Sequence, residues 1–166
     1  LTDIKTLYLE LNSPADFIEK SNSKDLNVIE AKIKELRFNR YLYSLVGQPW
    51  GWTDKLDLTD EQWKEYAESN NLRTWVAYHK GSIAGYFELS TDSAFNVEIA
   101  YFGLAPAFIG QGFGGYLLSK AIKSAWEECN AKRVWVHTCS LDHPNALNNY
   151  QSCGFKIYRQ ESDISD

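Results

Sequence analysis

The run Ile109-Gly110-Gln111-Gly112-Phe113-Gly114-Gly115 decides how this sequence folds, because it joins a strand to the longest helix through four glycines in six residues. Glycine lets the backbone take positive φ and lets a ligand approach without a Cβ in the way. The first N–H groups of the following helix have no partner inside it. They point back into the loop and carry partial positive charge, so a pyrophosphate is the natural guest. A tight turn with glycines for packing is the competing reading, but four glycines exceed what one turn needs. The run also spells GxGxxG at Gly110, Gly112 and Gly115. A dinucleotide-binding unit would place that loop directly after its strand and end the next strand on a carboxylate. Here residues 105–109 intervene, and the next strand runs out through Val136-His137-Thr138-Cys139 without one. The dinucleotide reading is set aside.

Outward from the loop, residues 112–129 predict a helix with Leu117, Leu118, Ala121, Ile122 and Ala125 on one face. Residues 133–139 then read as a strand, 144–152 as a short helix, 155–159 as a last strand and 160–166 as a polar, frayed tail. Upstream lie three consecutive strands at 72–78, 83–89 and 96–104, the first two joined by a hairpin turn at His79-Lys80-Gly81-Ser82. Farther back, 6–11 alternates as a strand and Ser13-Pro14 caps a short helix. Residues 28–43 offer a helical face through Ile29, Ile33, Leu36 and Tyr43, and Thr59-x-x-Gln62 reads as a capping box opening a helix through Tyr66. Consecutive strands favour antiparallel pairing, and strand–helix–strand favours a parallel crossover. The expected fold class is α+β: a mixed, mostly antiparallel sheet flanked by helices, in one domain spanning residues 1–166.

Composition narrows the partners. A net charge of −5 and pI of about 5.2 argue against sequence-independent nucleic-acid binding, which needs a basic surface. No apolar run approaches the roughly 20 residues that span a bilayer, and no basic-then-apolar leader opens the chain. Cys129, Cys139 and Cys153 are odd in number and form no CxxC pair. Reduced thiols in a cytoplasm fit them better than disulfides or a zinc site, and no metal is expected.

Three signals in order give a resemblance to the GNAT family (GCN5-related N-acetyltransferases) over residues 72–158. The first is Val97-Glu98-Ile99-Ala100-Tyr101-Phe102-Gly103-Leu104-Ala105-Pro106. The second is the glycine loop, similar to the family's Gln/Arg-x-x-Gly-x-Gly/Ala signature, with Gly112 and Gly114 in its last two positions and Ile109 replacing the usual polar first residue. The third is Ala146-Leu147-Asn148-Asn149-Tyr150-Gln151-Ser152-Cys153-Gly154-Phe155, where a helix tyrosine precedes Gly-Phe and His143 stands where the family often has Asn. The resemblance implies a sheet splayed between the strands at 96–104 and 133–139. The pantetheine arm of acetyl-CoA, as co-substrate, would lie in that splay. It would pair with backbone at Phe102, Gly103 and Leu104, like an added strand. The amides of Gly110, Gln111, Gly112, Phe113, Gly114 and Gly115 would hold the pyrophosphate, with a further contact at His143.

Acetyl transfer from a thioester to an amine needs a base for the ammonium and a proton for the departing thiolate. Glu98 interrupts an apolar strand, and alternation sets it opposite Val97, Ile99 and Tyr101. It is the first base candidate; Glu88, in Tyr86-Phe87-Glu88-Leu89, is its rival. Tyr150 is the acid candidate, since a phenol stays protonated at pH 7. His137 and Cys139 share a strand face, but spacing does not make them a nucleophilic pair. Residues 1–71 lie on the acceptor side. There Tyr41–Trp52 (YLYSLVGQPWGW) reads as a loop whose rings either line a pocket or pack as a lid. The expected function is an N-acetyltransferase acting on a primary amine, small-molecule or peptide, with room for a homodimer. A non-catalytic acyl-CoA-binding or sensor module is the alternative.

Overall fold

The structure, a computed structural model, describes residues 2–165. Seven strands form one sheet: β1 (Thr2–Leu11), β2 (Leu26–Glu30), β3 (Leu72–His79), β4 (Ser82–Thr91), β5 (Asn96–Leu104), β6 (Arg133–Cys139) and β7 (Lys156–Ser165). Four α-helices accompany them: α1 (Leu36–Gly47), α2 (Asp60–Ala67), α3 (Gly114–Glu127) and α4 (Ala146–Ser152). The strand order is β2-β3-β4-β5-β6-β1-β7. All neighbours are antiparallel except β5 and β6, which run parallel through the α3 crossover. The expected α+β architecture with a mixed, mostly antiparallel sheet is the one observed.

Two apolar layers hold the sheet. On one face α3 buries Leu117, Leu118, Ala121, Ile122 and Ala125, the predicted stripe, against Leu9, Phe87, Val97, Ile99 and Val134. Each such side chain removed from water contributes about 1.5–3 kcal/mol, which makes this layer the main source of stability. On the other face α1 buries Leu42 and Val46 against Val76 and Tyr86. The β3–β4 hairpin closes through Lys80 and Gly81, both at positive φ, as a two-residue turn requires. The Thr59–Gln62 capping box is present at α2, with both reciprocal bonds made. Among the described residues no helix is long and apolar enough to cross a membrane.

Four local expectations are corrected. Residues 28–43 are not one helix: β2 ends at Glu30 and α1 starts at Leu36. Ile29 and Ile33, counted on the helical face, are 50% and 91% exposed. The Tyr41–Trp52 segment is not a loop throughout, since α1 continues to Gly47 and a 3-10 turn covers Gln48–Trp50. Position 47 is glycine because a Cβ there would sit 2.3 Å from the Trp52 ring. Residues 160–165 are not a frayed tail but the second half of β7, paired with β1. Finally, β5 carries a bulge: Glu88 faces Tyr101 while Leu89 faces Ile99, leaving Ala100 as the extra residue. The bulge turns Tyr101 onto the face of Glu98 instead of that of Val97 and Ile99.

Candidate active site

The sheet opens where the resemblance placed it. The strands β5 and β6 pair only at Asn96–Arg133, Val97–Val134 and Glu98–Trp135, and then part. Beyond Glu98 one edge of β5 has no strand neighbour. The Ala105 N–H donates to the Ala84 carbonyl of β4 at 2.8 Å. By alternation Leu104 and Phe102 turn their backbone groups toward the gap. A cavity of about 1050 Å³ fills it, walled by Phe102, Gly103 and Leu104, by Gly110, Gly112 and Gly114, and by Glu98, His137, His143 and Tyr150.

The glycine loop enters that cavity from the N-terminus of α3. Gly110 and Gly112 adopt φ of +82° and +84°, and nothing lies within 4 Å of a Cβ built on Gly110. Phe113 opens the helix without a side-chain cap. The amides of Gly114, Gly115 and Tyr116 precede the first intrahelical bond, from Leu117 N–H to the Phe113 carbonyl. The loop is therefore open, uncapped and donor-rich, which fits a pyrophosphate. Gln111, Phe113 and Gly115 stand back from the wall. Gln111 bonds the Ala107 carbonyl, Phe113 is buried beside Phe108 and His79, and Gly115 faces the Lys20 stem and Asn149. Lys24 was not foreseen: its ammonium donates to the Gln111 carbonyl at 3.2 Å, placing a cation on the loop. It sits 87 residues upstream in a polar stretch, where only the fold brings it to the glycines.

The two candidate bases part company. Glu98 lines the cavity, with a side chain 25% exposed and Oε1 lying 3.5 Å from Nδ1 of His137. That contact raises the His137 pKa, with Asp142 and Asp54 adding to the effect against partial burial. Glu88 is 1% exposed. It accepts from Asn39 at 2.8 Å and from the Tyr66 hydroxyl, and burial raises its pKa. Asn39 also donates to Thr74, completing a buried polar knot beneath α1. Tyr66, not Glu88, reaches the cavity wall. The Glu98–His137 pair was legible only as two residues on separate strands, since the β5–β6 register is a property of the crossover.

Tyr150 sits on α4, 6% exposed, between the rings of Phe102 and Phe155. Burial raises its pKa, so the phenol is protonated, and its hydroxyl makes no hydrogen bond among the described residues. His143 lies at the head of α4, where Nδ1 accepts the Asn145 N–H and its ring meets Trp50 at 4.9 Å. Cys139 also touches the cavity, but His137 turns to Glu98 rather than to it. Burial pushes the thiol up, which disfavours a nucleophilic thiolate.

The segment between α1 and α2, with α2 itself, supplies the remaining wall. Trp50, Trp52, Asp54 and Lys55 face the cavity from the stretch that links α1 to α2, and Tyr66 from α2 itself. Asp54 accepts from the hydroxyl of Tyr43 at 2.8 Å and from that of Tyr101. The Tyr43 phenol is pushed up to about 12 by burial and by the adjacent Asp54. Asp54 was not singled out in the sequence, where it is one of many surface carboxylates.

A model of the Acetyltransferase (GNAT) family matches residues 38–155. The match covers more than half of the chain, and the protein belongs to this family, whose members use acyl-CoA. No curated protein matches the sequence. Among solved structures, a GCN5-related N-acetyltransferase from Kribbella flavida superposes with a TM-score of 0.67 at 14% identity, over 98% of this chain and 59% of that one. A GCN5-related N-acetyltransferase from Sphaerobacter thermophilus gives 0.67 at 16%, over 95% and 49%. The chain thus spans about half to three-fifths of the length of these two structures. A spermidine N-acetyltransferase from Vibrio cholerae, in complex with CoA and spermine, gives 0.63 at 20%, over 79% and 80%. These likenesses establish the shared fold.

Proposed function

We propose that this chain is an N-acetyltransferase that takes the acetyl group of acetyl-CoA to a primary amine by direct attack. One observation carries the reading. The Glu98 carboxylate and the partnerless Tyr150 hydroxyl open onto the same cavity, between parted strands and an uncapped glycine loop. In this reading the backbone of Phe102 and Leu104 holds the pantetheine arm. The loop amides and the N-terminus of α3 hold the pyrophosphate, with His143 nearby. Glu98 accepts the proton of the incoming ammonium, directly or through water, and His137 holds the carboxylate in place. As the amine nitrogen bonds the acetyl carbon, the carbon–sulfur bond breaks, Tyr150 donates its proton to the departing sulfur, and the surplus proton left on the nitrogen returns through water to the Tyr150 phenolate. Residues 72–158 bind the donor in this scheme, and residues 1–71 shape the acceptor side. Amines fit the acceptor side, as they do the structural neighbours named for spermidine and for aminoglycoside acetylation. Three free cysteines are consistent with a reducing compartment such as the cytoplasm.

The test is thiol release from acetyl-CoA against a panel of amines, amino acids and peptides. Glu98→Gln and Tyr150→Phe are each expected to lower kcat by about 10²–10⁴-fold while CoA binds with unchanged affinity. Full turnover in either variant removes that residue from the chemistry. CoA binding without release for any amine would favour the sensor module.

A further inference from the structure

We propose that the acceptor is a small amine carrying a second positive charge, whose distal ammonium rests against Asp54 on the ring floor of Trp52 and Tyr101. This inference rests on the acetyltransferase reading and names the substrate class for the same cavity. Asp54 is exposed to the cavity, yet it is not free to wander. Two phenols from separate elements, Tyr43 on α1 and Tyr101 on β5, each donate to one of its oxygens. Those hydroxyls are neutral, so they orient the carboxylate and leave its charge in place. The remaining acceptor positions on both oxygens have no donor among the described residues.

The surroundings suit a cation. The rings of Trp52, Tyr101 and Tyr43 pack 5.1–5.7 Å apart, centroid to centroid, and two of them carry the hydroxyls bonded to Asp54. Aromatic faces attract ammonium groups, most strongly where water is displaced. The chain already makes use of this: the Lys55 ammonium stands 4.0 Å from the Tyr66 ring centroid and 5.6 Å from that of Tyr101. Lys55 offsets one of the three wall carboxylates, Asp54, Glu98 and Asp142. Asp142 is held by Thr138 and the Cys139 amide, and Glu98 by His137. Asp54 is the one whose partners are only phenols. In the acetyltransferase reading the reacting amine lies between Glu98 and the Tyr150 hydroxyl, both on the cavity wall, the hydroxyl without a hydrogen-bond partner among the described residues. A second ammonium on the same molecule then meets Asp54, whereas an apolar tail would leave that carboxylate desolvated and unpaired.

Binding and turnover separate this inference from the reading beneath it. The full chain, saturated with CoA, is titrated with 1,4-diaminobutane and with n-butylamine, following tryptophan fluorescence because Trp50 and Trp52 line the site. The diamine is expected to bind about tenfold more tightly. Asp54→Asn should erase the difference and Asp54→Glu retain most of it, with CoA affinity unchanged in both variants. Kanamycin as a third probe distinguishes a rigid amino sugar from a flexible chain, and Asp54→Asn weakens whichever binds. Equal affinity for diamine and monoamine, or a preference that survives Asp54→Asn, overturns the inference. Tighter binding of 2-phenylethylamine than of the diamine also overturns it. Diamine binding that depends on Asp54, with no thiol release for any amine of the panel, upholds the subsite and overturns the transferase reading instead.

Discussion

Glu98 and Glu88 stand on adjacent strands and on one face of the sheet, yet their surroundings differ. Glu88 is sealed beneath α1, with Asn39 and Tyr66 donating to it. Glu88→Ala removes the acceptor of buried Asn39 and half-buried Tyr66 and is expected to cost about 1–3 kcal/mol, measurable as a lower urea midpoint. Thiol release should fall far less than in Glu98→Gln; an equal loss would return the base role to Glu88. His137 supplies a pH signature. Its folded pKa is raised above the ordinary 6.5, first by its bond to Glu98. A raised pKa contributes stability that is full below 6.5 and fades as pH climbs through the folded value. The melting-temperature gap between wild type and His137→Gln should therefore be widest near pH 6 and close toward pH 9. Because the imidazole is nearly half exposed, the gap corresponds to about 1 kcal/mol or less. A gap that grows with pH would contradict the pairing.

At the level of elements, the junction between α4 and β7 explains why a glycine precedes Phe155. Gly154 takes φ of +106°, and a Cβ there would lie 2.1 Å from the Asp16 carbonyl oxygen. The neighbour is backbone, held in the 3-10 turn at Pro14–Asp16, so it cannot swing aside. Gly154→Ala is expected to cost about 1–3 kcal/mol from the left-handed conformation alone, and more from the clash. It should also lower thiol release, because α4 carries Tyr150. Gly81→Ala is the control: its φ is +87° with nothing within 4 Å, so thermal melts should show a smaller drop and activity should hold. Where local chemistry dictated the element, the sequence was readable. The α3 stripe, the hairpin turn, the capping box and the glycine loop all announce themselves within a few residues. The start of α1 does not, because Glu35, seldom a helix cap, bonds the Arg37 and Phe38 amides there. The residues 28–30 misled for a different reason. Ile29 matched a helical spacing with Ile33 and Leu36, while the pairing of residues 28–30 with β3 reaches more than 40 residues along the chain. Of the site, Glu98, Tyr150 and the loop glycines carried local patterns, whereas His137 as partner, Lys24 and Asp54 depend on contacts only the fold creates.

For the whole molecule, the least expected feature is the position of β1 between β6 and β7, antiparallel to both. A polar C-terminal stretch can then persist as a strand, since β7 draws its ladder from β1 along residues 156–165. The same insertion bears on the site. Tyr8 pairs with His137 and Leu9 with Val136, so β1 backs the β6 wall of the gap. Leu9 and Leu11 are at most 2% exposed and lie in the layer under α3. A chain beginning at residue 12 loses these side chains, the outer ladder of β6 and the sole strand partner of β7. Burial of the two leucines alone is worth about 3–6 kcal/mol, comparable to the entire stability of a small domain. The truncated chain is therefore expected to lack a cooperative melt by far-UV circular dichroism and to bind no CoA. Adding a synthetic peptide of residues 1–12 should restore both, in proportion to peptide concentration, because the strand can be supplied without a covalent link. A truncated chain that melts within a few degrees of the full one, and binds CoA unaided, would mean that β6 holds the gap open without β1.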